Sequence, residues 1–417
     1  MELDASRKKA HIYRSTFYQA VGDCCTRNQS VLVLCAALLG IPEAMTSALG
    51  ALGFLGFVLI PFGFLLARHW GASKSLGCER YLQAISALII GLLIWLCPDI
   101  AQVPFVLLVV VMYLAVAISG SMNFPLQKAL TTAKTLPGFL AICSYISNGT
   151  GFLMSLAVTW YMKSHNDLRA LGFLMIFGGI LHLFAGTAYY TMGDIPQIRE
   201  DARRFAIGNL REAIKDKAIR GLLVSGTIMD LFLCMAPPMC ILAARNGAGC
   251  TPAELMILNT VTVCSAISAT WLYKYLTLRF GTRRCMIWTA PLLVIQSLFW
   301  WFVPEGAPWF CFIFPFIIMG SSSVFISTSQ ANYFTVTAPP HLVVPGTILI
   351  YLTNGALAGI LGMILNPLLH NIIWAMPETS PMMHYRIFLS VGAVIFLIGF
   401  PAILLLPKDE PGKATTK

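Results

Sequence analysis

Two carboxylates stand in apolar surroundings in this 417-residue sequence, and they are its first candidates for chemistry. Asp23 precedes Arg27 by four positions, so on a helix the two share a face and can pair. A carboxylate held beside a guanidinium is a candidate proton site with an internal counter-ion. It is equally a clamp for an anionic molecule, or a plain structural ion pair. Asp230, within GTIMDLFLCMAPPM, has no basic residue three or four positions away. Its partner must come from another helix, and its bland reading is a hydrogen bond between helices. An ionisable group in a long apolar run is costly and marks a functional position by default. Pro237 and Pro238 follow about two turns later, and they predict a bend or interruption that could serve a gate.

Uncharged polar residues add a second set. SYISNGTGFL (144–153) echoes IYLTNGALAG (350–359), aligning Tyr145 with Tyr351, Asn148 with Asn354 and Gly149 with Gly355. Each amide could bind a hydroxylated molecule or lock two helices, and each tyrosine offers a stacking face with a polar tip. LPG (136–138) echoes VPG (344–346), Gln127 is placed like Gln330, and LARHWG (66–71) is placed like LTLRFG (276–281). Asp23 and Asp230 fall at comparable depths in the two halves. The order of these echoes predicts a chain built from two related halves. His182 reads as an isolated packing or hydrogen-bonding residue, and the other histidines are scattered.

The elements that carry these residues must be membrane helices. Only 11% of the residues are charged and 57% are hydrophobic, against about 25% charged in an ordinary soluble domain. A charged side chain at the bilayer centre costs roughly 2.5–3.5 kcal/mol. Twelve apolar runs reach the length of about 20 residues that a crossing requires. They cover about 14–40, 46–67, 80–97, 103–124, 138–161 and 169–191, then 219–243, 253–275, 284–303, 308–334, 343–366 and 384–406. Their sequences do not alternate in polarity, so helices rather than barrel strands are expected. The fold class is therefore all-α and polytopic, with twelve transmembrane helices in two pseudo-symmetric six-helix bundles. An N-terminal half (1–191) and a C-terminal half (219–417) flank a cytoplasmic linker (192–218). That linker's Ile195, Ile198, Ala202, Phe205, Ala206 and Ile207 suggest an amphipathic surface helix.

Most of the 28 lysines and arginines lie in the N-terminal segment, the second, fourth and eighth loops, the linker and the tail, with Arg80 assigned to the second loop. By the positive-inside rule both termini face the cytoplasm. This placement accounts for the net charge of +10 without nucleic acid. The N-terminus lacks a signal-peptide pattern, and the twelve cysteines read as small hydrophobes. No P-loop, HExxH pattern or serine-nucleophile setting is present, so no enzyme activity, cofactor or metal is expected.

Twelve spans, a 6+6 division and a basic loop between spans two and three resemble the major facilitator superfamily over nearly the whole chain. Gly63, Arg68, Gly71 and Lys74 match the glycine and basic positions of that family's loop. Its acidic position is empty, with Ala67, Arg68 and His69 in that region, so the ion-pair latch is altered or supplied from elsewhere. YQAVGD (18–23) resembles sugar–cation symporters of the superfamily, although their paired carboxylates are missing from 46–67. The resemblance implies alternating access and a cavity lined chiefly by spans one, four, seven and ten. It favours Asp23, Arg27, Asp230, Gln330 and Asn332 as site residues, with Arg68 and Gly71 in gating.

The expected protein is a monomeric, multi-pass transporter of a bacterial inner membrane that couples protons to a small polar or anionic organic solute. Proton coupling falls to Asp23 and Asp230. Solute binding falls to Arg27, Asn148, Tyr145, Gln330, Asn332, Tyr351 and Asn354. Alternatives are a proton-driven exporter of amphipathic drugs and a non-transporting receptor or scaffold. Accessibility labelling in intact cells is expected to place residues 199–217 and the C-terminal tail on the same, cytoplasmic, face; opposite faces would break the twelve-span topology.

Overall fold

The computed structural model describes residues 2–131, 136–165, 167–196, 198–200, 208–339, 342–377 and 380–407. The first crossing is not the single span expected over 14–40. It consists of α1 (Glu2–Thr26) and α2 (Gln29–Leu38), broken at Arg27 and Asn28. The backbone N–H groups of both break residues donate to the Asp23 carbonyl at 3.0 and 2.9 Å. The Asn28 side chain then caps α2 by accepting from the Ser30 N–H at 2.9 Å. Asn28 is thus a helix start inside an apparent span, which explains why the first run read as polar.

The second crossing runs from Glu43 to Trp70 as α3 (Glu43–Leu55), a 3-10 turn and α4 (Ile60–Trp70). Four helices complete the first half: α5 (Ala72–Leu96), α6 (Gln102–Leu130), α7 (Leu136–Ser164) and α8 (Leu168–Tyr190). A short α9 (Gly208–Lys215) leads into α10 (Lys217–Leu242), α11 (Pro252–Phe280), α12 (Thr282–Phe299) and α13 (Ile313–Thr337). The last two crossings are α14 (Val343–Ile350) continuing through a π-helical stretch into α15 (Ala358–Trp374), and α16 (Pro381–Leu404). Among the described residues, ten helical stretches are long and apolar enough to cross a membrane. The more polar α1–α2 pair and α7 bring the crossings to twelve. The chain is an all-α, multi-pass membrane protein.

The helices group into two compact units, one of residues 1–41 and 55–205, the other of 42–54 and 206–417. Both use the same packing plan. In the first unit α1 lies on α7 and α8, α5 on α6 and α8, and α4 on α6. In the second α10 lies on α15 and α16, α12 on α13 and α16, and α11 on α13. The turn after the second helix of each plan is the same in both units. Gly71 (φ 82°, ψ 161°) starts α5, and Gly281 (φ 83°, ψ 162°) starts α12. A side chain is strained at that φ, so the LARHWG and LTLRFG echoes mark one structural element used twice.

Ile195 and Ile198, expected on the membrane surface, are instead buried in a cluster with Ile12, Ala67, Leu76, Met122, Phe139 and Tyr189. Ala202, Phe205, Ala206 and Ile207 lie outside the described residues.

Contrary to the expected interruption, α10 continues through Pro237 and Pro238. Each proline removes one backbone donor and so frees the carbonyl four residues earlier. For Pro238 that carbonyl is Cys234's, and the Asn366 amide on α15 donates to it at 3.2 Å. The same amide donates to the Ser47 carbonyl on α3 at 3.0 Å. Borrowed donors of this kind are how membrane helices keep internal prolines. Asn366→Ala is expected to orphan the Cys234 carbonyl and cost about 1–2 kcal/mol, seen as a lower midpoint in thermal unfolding. An unchanged midpoint would show that the Cys234 carbonyl needs no donor.

Candidate functional site

In the first unit the polar centre forms around the break in the first crossing. Arg27 Nη1 lies 3.3 Å from Asp23 Oδ1, as the four-residue spacing predicts. Gln19 Nε2 donates to the other carboxylate oxygen at 3.2 Å. His182 on α8 is fully buried, and its Nε2 lies 3.5 Å from Asp23 and 3.1 Å from the Thr26 hydroxyl. It is therefore a member of the Asp23 site rather than an isolated residue. Gly22 makes room for it, because a Cβ there would stand 2.9 Å from His182 Nε2. From α6, the Tyr113 hydroxyl donates to the Arg27 carbonyl at 3.3 Å, and the guanidinium lies 5.8 Å from the Tyr113 ring centroid. Arg27 thus has an ionic partner and an aromatic one within its own unit.

Behind this centre lies a second pair that the sequence reading missed. Glu79 and Arg80 sit inside α5, buried, with Arg80 Nη1 3.2 Å from Glu79 Oε1. Gln83 bridges them: its amide donates to Glu79 at 2.5 Å, and its oxygen accepts from Arg80 at 3.0 Å. Arg80 is therefore not a loop residue, and its charge also acts on Asp23. The two arginines balance the two carboxylates, so the region is neutral overall when His182 is neutral.

A cavity of about 280 Å³ opens on Asp23 within this unit. Thr16, Gln19, Asp23, Cys143, Ser144 and Ser147 line it. The α7 wall faces α1 closely enough for the Cys24 thiol to donate to the Gly151 carbonyl at 3.4 Å. Asn148, one of the amides singled out by the repeat, donates to Ser144 Oγ on its own helix at 3.0 Å. Tyr145 is 77% exposed and does not line the cavity.

The second unit handles its carboxylate differently. Asp230 is 8% exposed and accepts from Gln330 Nε2 on α13 at 3.0 Å. Among the described residues no cation lies within ion-pair distance of it. The α10–α13 contact has a counterpart in the α1–α6 contact of the first unit. Asn332, two positions from Gln330, donates instead to the Tyr273 hydroxyl on α11 at 3.1 Å, so it braces two helices away from Asp230.

Tyr351 and Asn354 belong to the π-helical stretch Tyr351–Leu357, a winding found most often at functional positions. Tyr351 feels the Asp230 charge. Asn354 is buried and bridges to α10, donating to the Leu222 carbonyl at 3.3 Å and accepting from the Thr227 hydroxyl at 3.4 Å. It acts as a clamp between helices, unlike its repeat partner Asn148.

Arg68 is exposed at the end of α4. Beside Gly71 lies Asp194, whose carboxylate occupies the space a Cβ would take. Asp194 pairs with Arg199 at 3.5 Å, and Arg199 donates to the His69 carbonyl at 3.2 Å. The segment after α8 thus brings an acid and an arginine against the turn at Gly71.

No protein-family model matches this sequence, and no curated protein does. Solved structures do. A point-mutant form of the nucleoside transporter NupG superposes with a TM-score of 0.72 at 13% identity, over 96% of this chain and 100% of that one. A D-xylose–proton symporter gives 0.65 at 14% identity, over 95% and 97%. A bacterial homologue of the iron transporter ferroportin gives 0.59 at 14% identity, over 95% and 98%. Full-length likeness at this level is a statement about architecture, and it agrees with the repeated packing plan and the paired glycine turns: the chain has the fold of the major facilitator superfamily.

Proposed function

We propose that the protein is a proton-coupled secondary transporter of a small, polar, hydroxyl-bearing solute, working by alternating access with both termini in the cytoplasm. The observation that carries this reading is the unequal treatment of two membrane carboxylates, one on the first helix of each unit's packing plan. Asp23 has Arg27 and His182 as charge partners, whereas Asp230, among the described residues, has one neutral amide. A charge without a counter-ion is expensive in a low-dielectric interior, and a neutral carboxyl is far less so. Asp230 is then the group whose proton must come and go as its surroundings open to water and close. Asp23 contributes instead to solute recognition beside the cavity.

The cavity lining argues for the solute class. Hydroxyls, an amide and one carboxylate offer donors and acceptors suited to a polyol. Arg27 is committed to Asp23 and Tyr113, which favours a neutral solute over the anionic one. A nucleoside transporter and a D-xylose–proton symporter among the structural neighbours support the same direction.

Asp230→Asn is expected to retain solute counterflow in proteoliposomes while an imposed proton gradient no longer drives accumulation beyond equal concentrations. Retained accumulation would remove Asp230 as the carrier. Asp23→Asn leaves Arg27 uncompensated and is expected to destabilise the protein by about 2–3 kcal/mol, less than a fully buried pair because both groups keep some contact with solvent. Adding Arg27→Gln is expected to recover most of that stability. Failure of the double variant to recover it would mean that Arg27 is not simply Asp23's counter-ion.

A further inference from the structure

Another carboxylate, used by neither site above, lies at the start of the second crossing. Glu43 begins α3, in the stretch 42–54 that groups with the second unit. Its carboxylate accepts from the Tyr385 hydroxyl on α16 at 2.7 Å and from the Asn246 amide in the π-turn after α10. His370 Nε2 on α15 lies 3.4 Å from its other oxygen. Two of these groups, His370 and Tyr385, are held in place by aromatic packing on Trp374. The His370 ring lies on Trp374 with centroids 3.9 Å apart and planes 14° apart. Trp374 also packs on His384 at 4.8 Å and meets Tyr385 edge-on at 5.1 Å. One turn along α3, the Asn366 amide donates to the Ser47 carbonyl.

The arrangement is selective for one protonation state. An ionised carboxylate only accepts hydrogen bonds, and it can satisfy several donors at once. Two donors, the Tyr385 hydroxyl and the Asn246 amide, converge on one Glu43 oxygen, and the neutral His370 ring turns Nε2 to the other, a contact in which an ionised Glu43 requires the Nε2–H tautomer. A proton on this carboxyl weakens the acceptor that Tyr385 and Asn246 share and makes the His370 contact depend on a change of tautomer. The other titratable or charged groups on these elements are Arg245 beside Asn246, His370 on α15, and His384, Tyr385 and Arg386 on α16. Arg386 is turned away, donating to the Trp300 and Val303 carbonyls. A proton on His370 acts in the opposite sense, because it adds a cation beside the ionised Glu43. Release therefore requires protonation of Glu43 itself.

We propose that Glu43 is a proton-operated latch. Ionised, it fastens residues 42–54 to the π-turn, α15 and α16; on taking a proton from water it lets that stretch go. Residues 42–54 run on covalently through the 3-10 turn into α4, and every partner of Glu43 named above lies in the same unit as residues 42–54. The inference does not rest on the roles given to Asp23 and Asp230.

Hydrogen–deuterium exchange of the purified full-length protein in nanodiscs, with no solute added, reads the latch directly. In the wild type, peptides from 42–54 should be protected at neutral pH and exchange several-fold faster at acidic pH, after correction for the intrinsic rate. Glu43→Gln should exchange at the faster level at both pH values, while peptides from α5 and α8 stay unchanged. Tyr385→Phe deletes a single hydroxyl and should give intermediate protection that is lost at a higher pH than in the wild type. Equal protection of wild-type 42–54 at both pH values would overturn the proposal, as would wild-type behaviour of both variants. Should Glu43→Gln fail to fold, the wild-type pH comparison and Tyr385→Phe decide the matter. Failure here leaves the transport reading untouched.

Discussion

A charge placed in hydrocarbon must find a partner or give up its charge, and that constraint organises this protein. It explains why only 11% of the residues are charged and why the buried ones occur in sets. Asp23 is surrounded by Arg27, His182 and Gln19, while Glu79 is tied to Arg80 and Gln83. Asp230 departs from the rule, with Gln330 alone within hydrogen-bond reach among the described residues. Because the two units share a packing plan, this departure is not a difference in architecture. It is a difference in side chains on one scaffold, and therefore a difference in chemistry.

The same constraint governs the backbone. Wherever a crossing leaves regular α-helix, an unpaired carbonyl or N–H has to be served by something other than water. The break at Arg27–Asn28 is served by the Asp23 carbonyl and the Asn28 cap, and the carbonyl freed by Pro238 of α10 by Asn366. The π-helical stretch at Tyr351–Leu357 contains Asn354, which reaches back to α10. In each case irregular winding and a polar side chain occur together. Polar function in this fold is built at places where the helix has already had to be repaired.

The sequence disclosed most of the scaffold, because apolar run length and the distribution of basic residues are properties of the chain itself. The repeat was legible too, in the glycine turns at 71 and 281. The polar sites were only partly legible, and the reason is where charges sit on helices. Glu43 and Glu79 lie near the ends of crossings, where a polar residue lowers the apolar content and pulls a predicted boundary inward. Starting spans at 46 and 80 placed both carboxylates outside the membrane and turned Arg80 into a loop residue. His182, His370 and Asn366 were hidden for another reason. Each has partners far away in sequence, and no spacing rule brings α1 to α8 or α3 to α15. Asn148 and Asn354 show the converse, since an alignment of repeats conveyed equivalence of position but not of role.

The account stands or falls on whether solute and proton move together. Proteoliposomes loaded with a pH-sensitive dye and given D-xylose or a panel of ribonucleosides on the outside would show it. Symport predicts that the lumen acidifies as a transported solute runs inward, in the wild type and not in empty liposomes. Entry of a solute with no change in luminal pH would contradict the central claim.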